Sequence, residues 1–108
     1  MHIEKSFSDL VLSFPNTEMI QHFNKLAFRI TKKKIFASYD FQNNLGNVLL
    51  NPKAQATYCS YTSTAIYPVP NKWGAKGWTT LVLDELPVKL IQEVINSAYQ
   101  QQVSPKNI

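Results

Sequence analysis

Hydrophobic side chains recur at three- and four-residue spacing near both ends of the chain. The amino-terminal stripe comprises Ile3, Phe7, Leu10, Val11 and Phe14. This spacing predicts a helix over about residues 3–14, which Pro15 ends because its ring and missing N–H cannot continue a helix. The carboxy-terminal stripe comprises Leu86, Leu90, Ile91, Val94, Ile95, Ala98 and Tyr99. It predicts a long last helix with the acids Asp84 and Glu85 at its positive end.

The middle of the chain alternates between apolar and polar side chains with a period of two. Residues 27–31 and 35–41 are rich in aromatic and β-branched side chains, and we expect two strands there. Residues 48–50 and 78–83 predict two more short strands. Residues 19–25 alternate as well but lack a clean apolar face, so the pattern leaves open whether they form a further strand.

Asn51-Pro52 is typical of a helix start, because Asn caps helices and Pro favours the first helical position. A short helix is expected over about residues 53–60. The order of elements predicts an α+β fold, in which the N- and C-terminal helices pack on one face of an antiparallel β-sheet and leave the other face more exposed. The length of 108 residues predicts a single domain over 1–108, with about 103–108 a frayed C-terminal tail.

Cysteine usage and hydropathy suggest a compartment. The one cysteine, Cys59, cannot form an intrachain disulfide and is interpreted as a buried small hydrophobe in a reducing environment. No apolar run approaches the roughly 20 residues of a membrane span, so we expect no membrane association. The amino terminus lacks the basic start and apolar run of a signal peptide. These features favour a cytoplasmic location.

The net charge of +4 is unevenly distributed. Between Met19 and Leu83 there are eight basic side chains and one acid, Asp40, which leaves +7, while the two ends together carry −3. A cationic block between mildly acidic ends suggests DNA or another polyanion as the partner. A surface that only keeps the protein soluble is the alternative explanation.

Several segments together resemble one known family. They are Leu12-Ser-Phe-Pro15, Ala27-Phe-Arg-Ile30, Pro68-Val-Pro70, Trp73-Gly74, Gly77-Trp78-Thr79 and Ser97-Ala98-Tyr99. In this combination the chain resembles the MmcQ/YjbR family, which is described as having a double-wing motif and a CyaY-like (frataxin-like) fold. The resemblance implies that fold and a role in DNA binding.

A lysine-rich tip between the first two predicted strands is the first candidate for nucleic-acid binding. It comprises Arg29, Lys32, Lys33 and Lys34. Ammonium groups at a hairpin tip can approach a phosphate backbone as a wing does, and such contacts position a nucleic acid without selecting bases. The alternative is that these lysines only solubilise the tip and discourage edge-to-edge pairing of strands.

The second candidate is the loop that contains both tryptophans. Lys72, Trp73 and Lys76 place basic groups beside an aromatic ring that can stack on an unpaired base. Trp78 begins a predicted strand, and we expect it to be buried and to anchor the sheet to the terminal helix. Trp73 therefore keeps the functional prediction in this loop.

The sequence predicts a binding protein and not an enzyme, since no catalytic constellation is visible. His22 has no second ligand at metal spacing and is interpreted as a structural hydrogen-bonding group; no metal site and no cofactor are expected. The function predicted is a DNA-binding protein of unknown specific role that contacts phosphates non-specifically. The alternative is a module that binds a protein or a small ligand on the exposed sheet face, with no nucleic-acid activity. The sequence leaves the oligomeric state open.

Overall fold

The computed structural model describes residues 3–22, 24–62 and 64–103. The helices within these ranges are α1 (Ile3–Leu12), α2 (Pro52–Cys59), α3 (Lys72–Ala75) and α4 (Val88–Val103). The strands within them are β1 (Thr17–His22), β2 (Lys25–Ile30), β3 (Ile35–Asp40), β4 (Leu45–Leu49), β5 (Ile66–Pro68) and β6 (Trp78–Val82). The predicted fray at Ser104-Pro105 lies outside the described residues, as does Phe23.

The six strands form one antiparallel sheet in the order β1-β2-β3-β4-β6-β5. The first four strands are neighbours in sequence and pair as a meander. The chain then leaves the sheet for α2, returns as the edge strand β5, and passes through α3 into β6. Strand β6 lies between β4 and β5, so the last strand of the chain is an inner strand of the sheet.

Helices α1 and α4 pack on the same face of the sheet, as predicted. The ring of Phe7 in α1 packs edge-on against Phe28 of β2 and stacks on Tyr39 of β3, with ring centroids 6.0 Å apart in the second pair. Tyr99 of α4 packs edge-on against Phe36, and its hydroxyl donates to the Pro15 carbonyl at 2.9 Å. The α+β prediction, with terminal helices on one face, is therefore confirmed.

Local sequence features explain how the elements begin and end. The Asn51 side chain accepts a hydrogen bond from the Ala54 amide at 2.7 Å, so the predicted cap of α2 is present. Asn16 and Asn44 hold positive φ angles in turns, a conformation that asparagine tolerates better than most residues. Helix α1 ends at Leu12, two residues earlier than expected, and Asp84 and Glu85 lie in a 3-10 turn before α4 instead of inside it.

Two short elements lie where the sequence predicts only loop. These are β5, with three residues, and α3, with four. Asn71 caps α3, its side chain accepting from the Trp73 amide at 2.9 Å. The strand at residues 17–22, which the sequence leaves undecided, is formed and pairs along its whole length with β2.

Candidate nucleic-acid interface

The hairpin tip between β2 and β3 presents three consecutive lysines. The Lys33 amide donates to the Ile30 carbonyl at 2.8 Å and closes a four-residue turn, in which Lys32 has a φ of 70°. That backbone conformation costs roughly 1–2 kcal/mol for a residue with a Cβ atom. Lys32, Lys33 and Lys34 are all exposed, so the tip presents three ammonium groups to solvent.

A groove at this end of the sheet brings two of these lysines beside Lys76. Antiparallel pairing places the start of β3, the end of β4 and the start of β6 at the same end of the sheet. Lys33, Lys34 and Lys76 line a groove of about 570 Å³ there, together with residues 49–52, Gln101 and Gln102. We call it the lysine groove. Among these described lining residues there is no acid, so the charges of its lysines are not neutralised within it.

Close backbone packing fixes the position of Lys76 at the groove. The Gly77 carbonyl accepts from the Leu50 amide at 3.0 Å, which ties the loop to the end of β4. A Cβ atom on Gly77 would lie 2.0 Å from the Leu50 carbonyl oxygen, and its φ is +111°. Glycine is therefore required where the loop crosses β4, and Lys76 is the residue immediately before it.

The other predicted site residues lie outside the lysine groove. Arg29 pairs with Glu18 directly across from it on β1, its Nε donating to a carboxylate oxygen at 2.5 Å. This ion pair compensates the charge of Arg29. Lys32 and Lys72 are exposed, but neither lines the groove.

The sheet face opposite the helices carries a second concave surface, of about 510 Å³. Its lining residues come from β2, β3, β4, β6 and the loop around α3: Lys25, Ile35, Ser38, Asn47, Val69, Trp73 and Trp78. We call it the open-face concavity. Its polar floor is organised by Asn47, whose side chain accepts from the Thr80 hydroxyl at 2.8 Å and donates to the Ser38 hydroxyl at 3.4 Å.

The two tryptophans occupy the same concavity, which corrects one expectation. Trp73 is 48% exposed, and the Lys76 ammonium lies 5.0 Å from its ring centroid. Trp78 is only half-buried and lies on the open face, so the prediction that it packs under the terminal helix is wrong. Along β6 the alternate residues Thr79 and Leu81 face the core instead.

Sequence reasoning missed several residues of both surfaces. Ile35, Ser38, Asn47, Gln101 and Gln102 are not among the site residues that the sequence predicts. Single polar residues on a strand carry no local signal of a shared surface. Their alternation with buried neighbours on β3 and β4 was the available signal, because alternate positions on a strand point to one face.

Two neighbouring side chains of α2, Tyr58 and Cys59, have raised pKa values. Burial, together with a hydrogen bond to the Glu93 carboxylate at 3.0 Å, raises the pKa of Tyr58 to about 12. Burial also raises the pKa of the Cys59 thiol, which disfavours the thiolate. Within residues 3–22, 24–62 and 64–103, no three His, Cys, Asp or Glu residues are grouped as metal ligands. No helix in these ranges is both long and apolar enough to cross a bilayer.

Comparison with known proteins identifies the family. The model of the YjbR family matches residues 12–101, which include all the described strands and most of α4, but only the last residue of α1. The chain belongs to the YjbR family. No curated protein matches the sequence significantly.

One solved structure supports the fold of this YjbR domain. The crystal structure of Deinococcus radiodurans protein DR2400, a protein with a DUF419 domain, matches with a TM-score of 0.73 and 21% identity. The match covers 93% of this chain and 77% of that one. It agrees with the six-stranded α+β architecture. The more specific CyaY-like description stays a prediction.

Proposed function

We propose that this YjbR-family protein binds DNA non-specifically through phosphate contacts in the lysine groove. One observation carries the proposal: Lys33, Lys34 and Lys76, which come from segments about 40 residues apart in sequence, line one groove without an acid among its lining residues. A phosphate backbone needs cations spaced along a continuous surface, and scattered solubilising lysines would not meet this requirement. The role proposed is binding and not catalysis.

The neighbouring groups fit a polyanion without selecting its sequence. Gln101 and Gln102 add side-chain amides that can donate to phosphate oxygens. Lys76 lines the groove, and its ammonium group lies over the ring of Trp73. Contacts to phosphate fix the position of a nucleic acid but carry no direct base information. The protein is therefore expected to bind unrelated DNA sequences with similar affinity.

Fluorescence anisotropy of labelled DNA across a salt series tests the proposal. The variant Lys33→Ala/Lys34→Ala removes two groove lysines. The matched control Lys53→Ala/Lys89→Ala removes the same net charge from exposed positions on α2 and α4. In the groove variant, the slope of the logarithm of the association constant against the logarithm of salt concentration should become less negative by about 1.4 on single strands, or about 1.8 on duplex. The slope of the control should change little.

Two outcomes would contradict the proposal. The first is an absence of DNA binding by the unmodified protein at about 50 mM salt, where non-specific electrostatic binding is strong. The second is an equal loss of binding in the groove variant and in the charge-matched control. That result would show that binding depends on total charge and not on the groove.

A second candidate function rests on the open-face concavity, whose exposed rings and aliphatic side chains could hold a protein segment or a small ligand. This function would involve no nucleic acid. It predicts that Trp73→Ala abolishes binding of such a partner, while Lys33→Ala/Lys34→Ala leaves it unchanged. Lys76 lies between the two surfaces and joins the apolar concavity to the cationic groove. This position favours DNA binding over the second candidate function.

A further inference from the structure

We propose that the open-face concavity holds the unpaired bases of single-stranded nucleic acid while the lysine groove holds its phosphates. This inference rests on the proposed function and adds the class of nucleic acid. It assigns a separate task to each of the two concave surfaces. The residue that joins them is Lys76, which lines the groove and lies over the ring of Trp73.

The aromatic side chains of the concavity are positioned to stack on bases. Trp73 is 48% exposed although its backbone is held in α3 by the Asn71 cap, so the ring is presented from an ordered segment. Trp78 lies on the adjacent strand surface, and Ile35, 38% exposed, extends the apolar area. Indole rings stack on any base, because every base has a flat π face.

The charges around the concavity favour a polyanion over a neutral apolar ligand. Lys76 covers one side of the Trp73 ring at 5.0 Å, and Lys25 also lines the concavity. A nucleic-acid strand has rings and phosphates at regular intervals, so it can satisfy both kinds of group at once. A neutral ligand would leave the cations of the adjacent groove without a counter-charge.

The polar floor fits base recognition that is tolerant of sequence. Asn47 uses one amide hydrogen for the Ser38 hydroxyl and its carbonyl oxygen for Thr80. Its second amide hydrogen and the Ser38 hydroxyl hydrogen can be donated to a base. Acceptor atoms occur on all four DNA bases, so these donors do not select one of them.

The geometry of the concavity requires a single strand. It extends over four adjacent strands, from β2 to β6, which is about 14 Å at roughly 4.8 Å per strand. In a duplex the flat faces of the bases are stacked on each other, and only their edges are exposed in the grooves. An indole can reach a base face only when that base is unpaired and splayed out.

The experiment compares a labelled twelve-nucleotide oligothymidylate with a labelled twelve-base-pair duplex by anisotropy at about 50 mM salt. The unmodified protein should bind the single strand more tightly and show quenched tryptophan fluorescence. Trp73→Ala should weaken oligothymidylate binding about 5- to 150-fold and change duplex binding less than twofold. Trp73→Phe, which keeps a stacking ring, should recover most of the loss.

Tyr61→Ala is the matched control, since Tyr61 is 54% exposed but lies outside both surfaces. It should leave both affinities unchanged, and circular dichroism should show that each variant is folded. Equal binding of single strand and duplex, with no effect of Trp73→Ala, would overturn the inference. The proposed function would still stand if Lys33→Ala/Lys34→Ala weakened that binding. If neither DNA bound, the proposed function and the inference would both fail.

Discussion

Replacement of Gly77 by alanine should strongly destabilise the protein, because it combines a backbone clash with a positive φ angle. The added Cβ atom would lie 2.0 Å from the Leu50 carbonyl oxygen, whereas real contacts of this kind stay beyond 3.0 Å. The backbone of the loop or of β4 must therefore move by about 1 Å. Such a movement would weaken the 3.0 Å hydrogen bond from the Leu50 amide to the Gly77 carbonyl.

The expected cost follows from two terms. A residue with a Cβ atom at a φ of +111° carries strain of about 1–3 kcal/mol, and a lost buried hydrogen bond costs about 1 kcal/mol. The free energy of unfolding should fall by about 3 kcal/mol in total. For a domain of this size, that corresponds to a decrease in melting temperature of roughly 12–24 °C.

Urea denaturation, followed by circular dichroism and tryptophan fluorescence, measures this loss. Gly46→Ala is the comparison, because its Cβ would meet the buried side-chain ring of Phe7 at 2.7 Å instead of a backbone oxygen. It should cost less, about 1–3 kcal/mol. Lys53→Ala at an exposed position should stay within about 0.5 kcal/mol of the unmodified protein. A Gly77→Ala variant as stable as Lys53→Ala would refute the close packing of the loop against β4.

Three further predictions concern single side chains. In an alkaline titration followed by absorbance at 295 nm, Tyr58 should ionise near pH 12, and Glu93→Gln should lower this pKa. An unfolded tyrosine ionises near pH 10, so the unfolded state loses its proton first. The free energy of unfolding should therefore fall as the pH rises from 10 to 12. Asn51→Ala should lower the free energy of unfolding by about 1 kcal/mol in urea denaturation, because the cap of α2 is lost. Lys32→Asn should raise it by about 0.5 kcal/mol in the same assay, because asparagine tolerates the positive φ of the hairpin turn better than lysine.

The main elements were predictable from the sequence because each is long enough to show its period. Helix α4 has sixteen residues, and its apolar stripe recurs over four turns. Strands β2 and β3 show alternation, and α2 carries a cap and a proline at its start. Strand β5 and helix α3 have only three and four residues, which is fewer than two repeats of the strand and helix periods of about 2 and 3.6 residues. No periodicity can identify elements of that length.

The sequence also contains the information needed to place Trp78 on the correct face of the sheet. Leu81 and Leu83 are buried, and both differ from Trp78 by an odd number of positions. Since successive strand residues point to opposite faces, Trp78 belongs with Thr80 on the face away from the helices. The prediction of burial relied on the tendency of a tryptophan at a strand start to pack under a helix, and it ignored this alternation.

The convergence of Lys34 and Lys76 depends on the order of the strands in the sheet, which local sequence patterns do not reveal. Lys34 precedes β3 and Lys76 precedes β6, and the two lysines share one end of the sheet because β3 and β6 both pair antiparallel with β4. If the edge strand β5 had taken the place of β6 beside β4, the start of β6 would lie one strand further away, by roughly 4.8 Å. The chain instead inserts its last strand between β4 and β5, and the carbonyl of Gly77 bonds to the end of β4. The same pairing that completes the sheet therefore brings Lys76 to the hairpin tip and sets Trp78 on the open face, so the two concave surfaces are joined by the start of β6.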